Sequence, residues 1–245
     1  MRILLALTFI LMLASLPGCA SFKPGKISDS YLGKSMVVVS TYDEKLDTAH
    51  SCIAASRGES HMLSTSSWNI NDDIESQAVF AINESGRFKA SPADSNDVRA
   101  LLTGVGIDNY HTKVWAFAER KMKIQQFAKT MGAELVLLFA PYEMDPRALR
   151  TNKVMNGYGV FISSQPFASD QMGTLADMEM ILYDGATGEE ITWATDYRLR
   201  PRDRSLCPWS ESNIQKTRNT IKYMLRDLED ELLVKTHVVS PPSSF

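Results

Sequence analysis

Two acids and four arginines are the residues of this sequence whose types and spacing could do chemistry. Asp177 and Glu179 stand two apart in Leu175–Tyr183. Two apart on a strand means one face, and paired carboxylates on one face can pass protons to and from a substrate. They also alternate with Ala176, Met178, Met180 and Leu182, the pattern of a half-buried strand, so we expect them on its solvated side. Arg198, Arg200, Arg202 and Arg204 repeat the same period. An extended backbone would line four guanidiniums on one side, a strip able to grip an anionic glycan, a lipid phosphate or an acidic partner. The plainer explanation is a charged strand end that blunts a sheet edge. His50, His61, His111 and His237 show no HExxH spacing, no CxxC occurs, and His50 with Cys52 does not close a metal site. GxSxG, SxxK and GxxxxGK are absent, and Gly104-Val105-Gly106 lacks the third glycine of a dinucleotide loop. The expectation is a chain that is not an enzyme, with no catalytic residue, metal or cofactor.

Cysteine chemistry is more informative. Met1-Arg2 supplies one positive charge, and Ile3 to Leu16 is an apolar run broken only by Thr8 and Ser15. A spanning helix needs about 20 such residues, so this run has the size of a signal-peptide core. It ends in Leu16-Pro17-Gly18-Cys19, which resembles the bacterial lipobox. That resemblance implies cleavage before Cys19, a diacylglyceryl thioether on its sulfur and an acylated (palmitate-type) N-terminus. Ala20 in place of Asp implies sorting to the outer membrane. Export would leave Cys52 and Cys207 in an oxidising compartment, where a disulfide between them is allowed; two free buried thiols is the alternative.

The elements that must position these residues alternate along the chain. Met36–Tyr42 is β-branched and apolar, a first strand. Asp43 to Asn71 is polar and shows no assignable period. A helix is predicted from Asp72, capped by an Asp72/Glu75 box, with Ile74, Ala78, Ala81 and Ile82 on one face and Gly86 as its stop; a strand over Ala78–Ile82 is the competing assignment. Arg87–Ala90 reads as a short strand and Asp94–Thr103 as a short helix. Thr112–Met131 is the best long helix, stopped by Gly132. Glu134–Ala140 is nearly unbroken apolar, hence a strand covered on both faces. Gly157–Ser163 is another strand. Leu175–Tyr183 and Glu190–Leu199, joined by Asp184-Gly185-Ala186-Thr187-Gly188, form a hairpin. Ser210 to Val234 is an amphipathic helix with a Ser212/Gln215 capping box and Ile214, Ile221, Leu225, Leu228 and Leu232 as its apolar face.

The fold class expected is therefore α/β (α+β): one domain, a mixed β-sheet packed by helices, with a C-terminal-side hairpin and a final amphipathic helix. We divide the chain into a signal peptide (1–18), a lipidated cysteine and tether (19–34), a periplasmic α/β domain (35–239) and a disordered tail (240–245). With 26 Lys+Arg against 29 Asp+Glu, a net charge of −3, there is no positive excess to neutralise phosphates, which argues against a nucleic-acid partner. At 44% apolar residues the chain can build a core and is not disordered throughout.

Three segments, in order, resemble a group of bacterial envelope lipoproteins: the curli-secretion channel lipoprotein, the lipoprotein activator of penicillin-binding proteins and the TolB amino-terminal domain. They are Ser85-Gly86-Arg87-Phe88, Gly132-Ala133-Glu134-Leu135-Val136-Leu137-Leu138, and Leu182-Tyr183-Asp184-Gly185-Ala186-Thr187-Gly188-Glu189 followed by Trp193. The resemblance covers about residues 36 to 236 and favours a helix over residues 72 to 85. It implies the fold and an envelope location. The function we expect is that of an outer-membrane lipoprotein on the periplasmic face that docks an envelope protein or peptidoglycan-linked machinery, with self-association allowed. A subunit of a secretion or export assembly is the alternative. A cell-wall hydrolase would need convergent carboxylates or histidines that the sequence does not show.

Overall fold

The computed structural model describes residues 26–48, 61–93, 95–102, 105, 116–144, 155–163, 171–201 and 210–241. Cys19, Cys52, Cys207, Arg202 and Arg204 lie outside them, and so do the signal peptide and most of the tail.

Among the described residues ten strands form in chain order: β1 (Ser35–Ser40), β2 (Lys45–Thr48), β3 (His61–Ser64), β4 (Lys89–Pro92), β5 (Leu135–Ala140), β6 (Glu143–Met144), β7 (Met155–Asn156), β8 (Tyr158–Ser163), β9 (Gln171–Asp184) and β10 (Glu190–Pro201). The α-helices among them are α1 (Ile70–Ser85), α2 (Asn96–Ala100), α3 (Ala116–Met131) and α4 (Glu211–Lys235). One mixed sheet runs β3-β2-β8-β9-β5-β1-β4, with β10 also on β9. β1 lies parallel to β4 and β5, while β5, β8 and β10 are antiparallel to β9. The α/β class and the β9–β10 hairpin are as expected.

The 14-residue β9 organises the sheet. β10 pairs along it from Gly173 to Tyr183. β8 pairs over Gln171 to Ala176 and β5 over Glu179 to Asp184, so the second edge of β9 is shared and a fork opens between them. Asp177 sits at that fork.

Apolar alternation on β1 and β5 feeds two cores, as a strand covered on both faces must. Met36, Val38, Leu135, Leu137, Phe139, Met178, Met180 and Leu182 pack under α1 and α4. Val37, Val39, Val136, Leu138, Ile181 and Tyr183 pack with Ile124, Phe127 and Ala128 of α3. The β9–β10 turn docks on α3: Lys121 pairs with Glu189, and Gln125 Nε2 donates to the Ala186 carbonyl. Gly188 makes this approach possible, since it has φ +68° and a Cβ there would lie 2.6 Å from the Lys121 carbonyl oxygen.

Four local expectations are corrected. The Asp72/Glu75 capping box does not form; α1 starts from Asn69, which has no side-chain cap hydrogen bond, and Glu75 is used elsewhere. α4 is capped by Ser210, whose side chain accepts from the Asn213 N–H, not by Ser212 with Gln215. The tether over residues 20–34 is shorter than expected. Ile27 is 1% exposed in the core, and Ser28 caps a 3₁₀ turn at Asp29–Tyr31, so packed structure begins well before residue 35. Asp177 and Glu179, expected in solvent, are 0% and 1% exposed.

Candidate functional site

Buried acids mark three places in the described residues. The first is the end of β1. Glu75 Oε1 accepts the Ser40 N–H at 2.9 Å, and Asn71 clasps the next turn by accepting from Tyr42 N–H and Ser40 Oγ while donating to the Tyr42 carbonyl. Arg99 of α2 closes the cluster. Its Nε and Nη2 donate to the two Glu75 oxygens at 2.7 Å each, Nη2 also reaches Asp72 at 2.5 Å, and Nη1 reaches Asn96 at 2.7 Å. The hydrogen bonds to Glu75 hold the Arg99 guanidinium firmly in its charged form, with Asp72 adding to the effect. Burial works to raise Glu75, against Arg99 and the Ser40 amide. This is a closed network that ties α1 and α2 to the sheet.

The second is the fork. Asp177 Oδ1 accepts the Tyr142 and Gly157 N–H groups at 2.8 and 2.9 Å. Those residues flank the β6–β7 ribbon, so one oxygen replaces the ladder partners that β5 and β8 lose where they part. Burial pushes Asp177 well above the usual carboxylate range, opposed by the two amides. From the other face Tyr42 donates its hydroxyl to the Asp177 carbonyl at 2.6 Å and stacks on Tyr158, 6.0 Å away between centroids. Tyr158, raised to about 12 by burial, donates to the Asp43 carbonyl and contacts Thr65 Oγ1 at 2.7 Å. Asp177 and Glu179 share a face as their spacing required, but Asp177 is a clamp for backbone. Asp177→Ala leaves two buried amides without an acceptor and is expected to cost about 2–4 kcal/mol in urea unfolding, with Asp177→Asn, which keeps an acceptor, costing less than half of that.

The third lies between α1 and α4. A cavity of ≈ 200 Å³ is walled by Ile70, Ile74 and Leu225, with Asp73, Gln77, Lys222, Tyr223 and Arg226 toward its mouth and Glu229 among its lining residues. Glu229 is 0% exposed, and neither carboxylate oxygen has a hydrogen-bond partner among the described residues. Burial pushes its pKa up to about 9; Asp230 adds to the shift and Arg226 opposes it. At neutral pH the buried carboxyl is therefore protonated. Lys222 is tied to Asp73 across the helices.

Of the four arginines, Arg198 and Arg200 lie among the described residues. Arg198 and Arg200 share a face, as their spacing predicted, but that face meets α4. Arg198 pairs with Asp227 at 3.1 Å and with Glu231, and Arg200 lies 4.6 Å over the Tyr223 ring. Both make contacts within the fold, in keeping with a charged strand end; Arg202 and Arg204, the other half of the possible strip, lie outside the described residues.

Sequence reasoning missed Glu75, Arg99 and Glu229. A signal existed for Glu229: it stands four residues after Leu225 and three before Leu232, an acid inside the apolar stripe of α4. Among the described residues no cluster of three or more His, Cys, Asp or Glu is placed to hold a metal, and no helix is long and apolar enough to cross a membrane.

No family model matches the chain, and no curated protein sequence matches it. Solved structures similar to it include the PelC dodecamer from Paraburkholderia phytofirmans (10% identity, TM-score 0.37, covering 87% of this chain and 94% of that one). Protein XCC0632 from Xanthomonas campestris is similar at 9% identity and a TM-score of 0.41, covering 91% and 89%. Lipoprotein GNA1162 from Neisseria meningitidis is similar at 11% identity and a TM-score of 0.34, covering 79% and 99%. At these identities and scores the likenesses decide neither function nor site, which rest on the residues themselves.

Proposed function

We propose that this chain is a lipid-anchored bacterial envelope protein, held on the periplasmic face of the outer membrane, that acts by binding and not by catalysis. The observation that carries the proposal is Cys19, set directly after Leu16-Pro17-Gly18 and a short apolar run with a basic start. Several acyl chains at about 0.8 kcal/mol per buried methylene give stable anchoring without any spanning helix. The use made of two buried acids is in keeping with a binding role: Glu75 accepts from the Ser40 amide and Arg99, and Asp177 Oδ1 accepts from two backbone amides. The proposed partner is an envelope protein or peptidoglycan-linked machinery, met on surface away from the Arg198–α4 contact.

Cys19→Ser is expected to move the protein from the membrane fraction to the soluble periplasm. A variant that stays tightly membrane-bound after an alkaline wash would overturn the anchor. Site-specific crosslinking in cells, read by mass spectrometry, tests the binding role; a catalytic role would show instead as turnover of envelope material by the purified protein.

A further inference from the structure

We propose that two copies of this chain pair through β10, edge to edge and antiparallel about a two-fold axis at Tyr197, joining their sheets into one. The inference is independent of the lipid anchor.

Backbone geometry identifies the open edge. Among the described residues β10 pairs with β9 alone. Opposite Tyr197 on β9 stands Asp177, whose N–H donates to the Gly157 carbonyl and whose own carbonyl accepts the Tyr42 hydroxyl, both away from β10. The Tyr197–Asp177 pair is therefore a position without ladder bonds, and the Tyr197 N–H and C=O point outward. Alternation gives Thr195 and Leu199 the same direction. In the single copy two side chains stand in for the missing strand. Asp196 Oδ1 accepts the Tyr197 N–H at 2.8 Å, and Arg198 Nη1 donates to the Tyr197 carbonyl at 3.1 Å. Such a guard alone would suit a blunted edge, yet the surface beside it is not blunted. Tyr197 and Leu199, on the face away from α4, are 43% and 42% exposed.

The sequence of the edge says what fits it. Thr195-Asp196-Tyr197-Arg198-Leu199 is complementary to itself when read in reverse. With Tyr197 on the two-fold axis, each copy's Tyr197 exchanges both backbone hydrogen bonds with the other's. Asp196 then faces Arg198 of the second copy, and Arg198 faces Asp196, at the positions where cross-strand side chains stand nearest. Moving the axis one residue either way, to Asp196 or to Arg198, sets like charges against each other on it, so charge fixes the register. The side chains that guard Tyr197 in one copy become the pairs that join two. Arg198 also holds Asp227 and Glu231 of α4, which keeps those acids paired as the copies approach. An extended segment of another protein would have to supply the same acid–tyrosine–base order, and this chain already carries it.

The test is sedimentation velocity of the full-length protein in detergent over a range of concentrations, with a short bis-maleimide to locate the contact. A dimer that dissociates on dilution is expected. Tyr197→Cys should crosslink between copies well above the background of the native cysteines. Leu199→Cys, which faces Thr195 of the second copy, should crosslink far less. Asp196→Arg sets arginine against arginine twice and should raise the dissociation constant at least about tenfold. Adding Arg198→Asp exchanges the charges and should restore association. Circular dichroism checks the fold of each variant. If the exchanged pair does not fold beside Asp227 and Glu231, Tyr197→Pro takes its place: it removes an outward N–H and no ladder bond, and should abolish the dimer. A monomer at every concentration, unchanged or tighter association in Asp196→Arg, or a dimer that Tyr197→Cys does not crosslink overturns the proposal.

Discussion

Arg99→Ala is expected to destabilise the protein by about 3–5 kcal/mol in urea unfolding at pH 7. The size follows from what stays behind. Glu75 is 1% exposed, and without Arg99 it keeps one backbone donor, the Ser40 amide, for a full negative charge. The loss is an uncompensated buried charge, not merely an ion pair of little worth. Asp72, well exposed, should contribute little by itself, so Asp72→Asn is expected to stay within about 1 kcal/mol of wild type. The control is the double variant Arg99→Ala with Glu75→Gln, which removes the charge together with its partner and should recover much of the deficit. A single-variant cost below about 1 kcal/mol would mean that the network at the end of β1 does not hold α1 and α2 in place.

Glu229→Gln should remove a steep pH dependence from the protein's stability. The native carboxyl keeps its proton up to about 9, while the unfolded one gives it up near 4.5, as an ordinary glutamate does. Between those values the native state binds more protons than the unfolded state, so this group's stabilising contribution is complete below pH 4.5. It falls as pH rises and is gone above about 9. The span corresponds to about 6 kcal/mol, or about 1.4 kcal/mol per pH unit. Gln carries no proton to lose. The variant should gain on wild type at that rate through the window, becoming the more stable of the two in mildly alkaline solution. Asp177, also raised by burial, contributes a slope of the same sign to both proteins, so the difference isolates Glu229. Parallel stability curves for the two proteins between pH 5 and 9 would show that the Glu229 carboxyl is already ionised in the native state.

Both predictions concern acids that the sequence pattern hides, and the reasons are physical. β1 and β5 are legible because a strand buried on both faces must be apolar throughout. The β9–β10 hairpin is legible because its turn needs Asp184 to accept from Ala186 and Thr187 amides and Gly188 to stand at positive φ. Asp177 and Glu179 defeat the same logic. Alternation identifies two faces but not what covers the second, and here that face lies among residues packed with α3 and the ends of the β6–β7 ribbon. The arginines show the same limit: Arg198 and Arg200 do share a face, and α4 brings Asp227 and Glu231 to it from about thirty residues away. Capping boxes mislead for a different reason. Asp72 with Glu75 has the right spacing, but Glu75 does better at the end of β1, where Ser40 has a free amide, than at the start of its own helix.

The early burial of Ile27 has a consequence for how the domain moves. Seven residues, eight chain steps, separate it from Cys19, a maximum reach of about 28 Å. A folded chain of this size has a diameter larger than that, with a radius of gyration of about 17 Å. On the proposed anchor, the domain is on a leash shorter than its own width. The near side of the domain then stays within about 28 Å of the lipid, while its far side projects a further domain width into the periplasm.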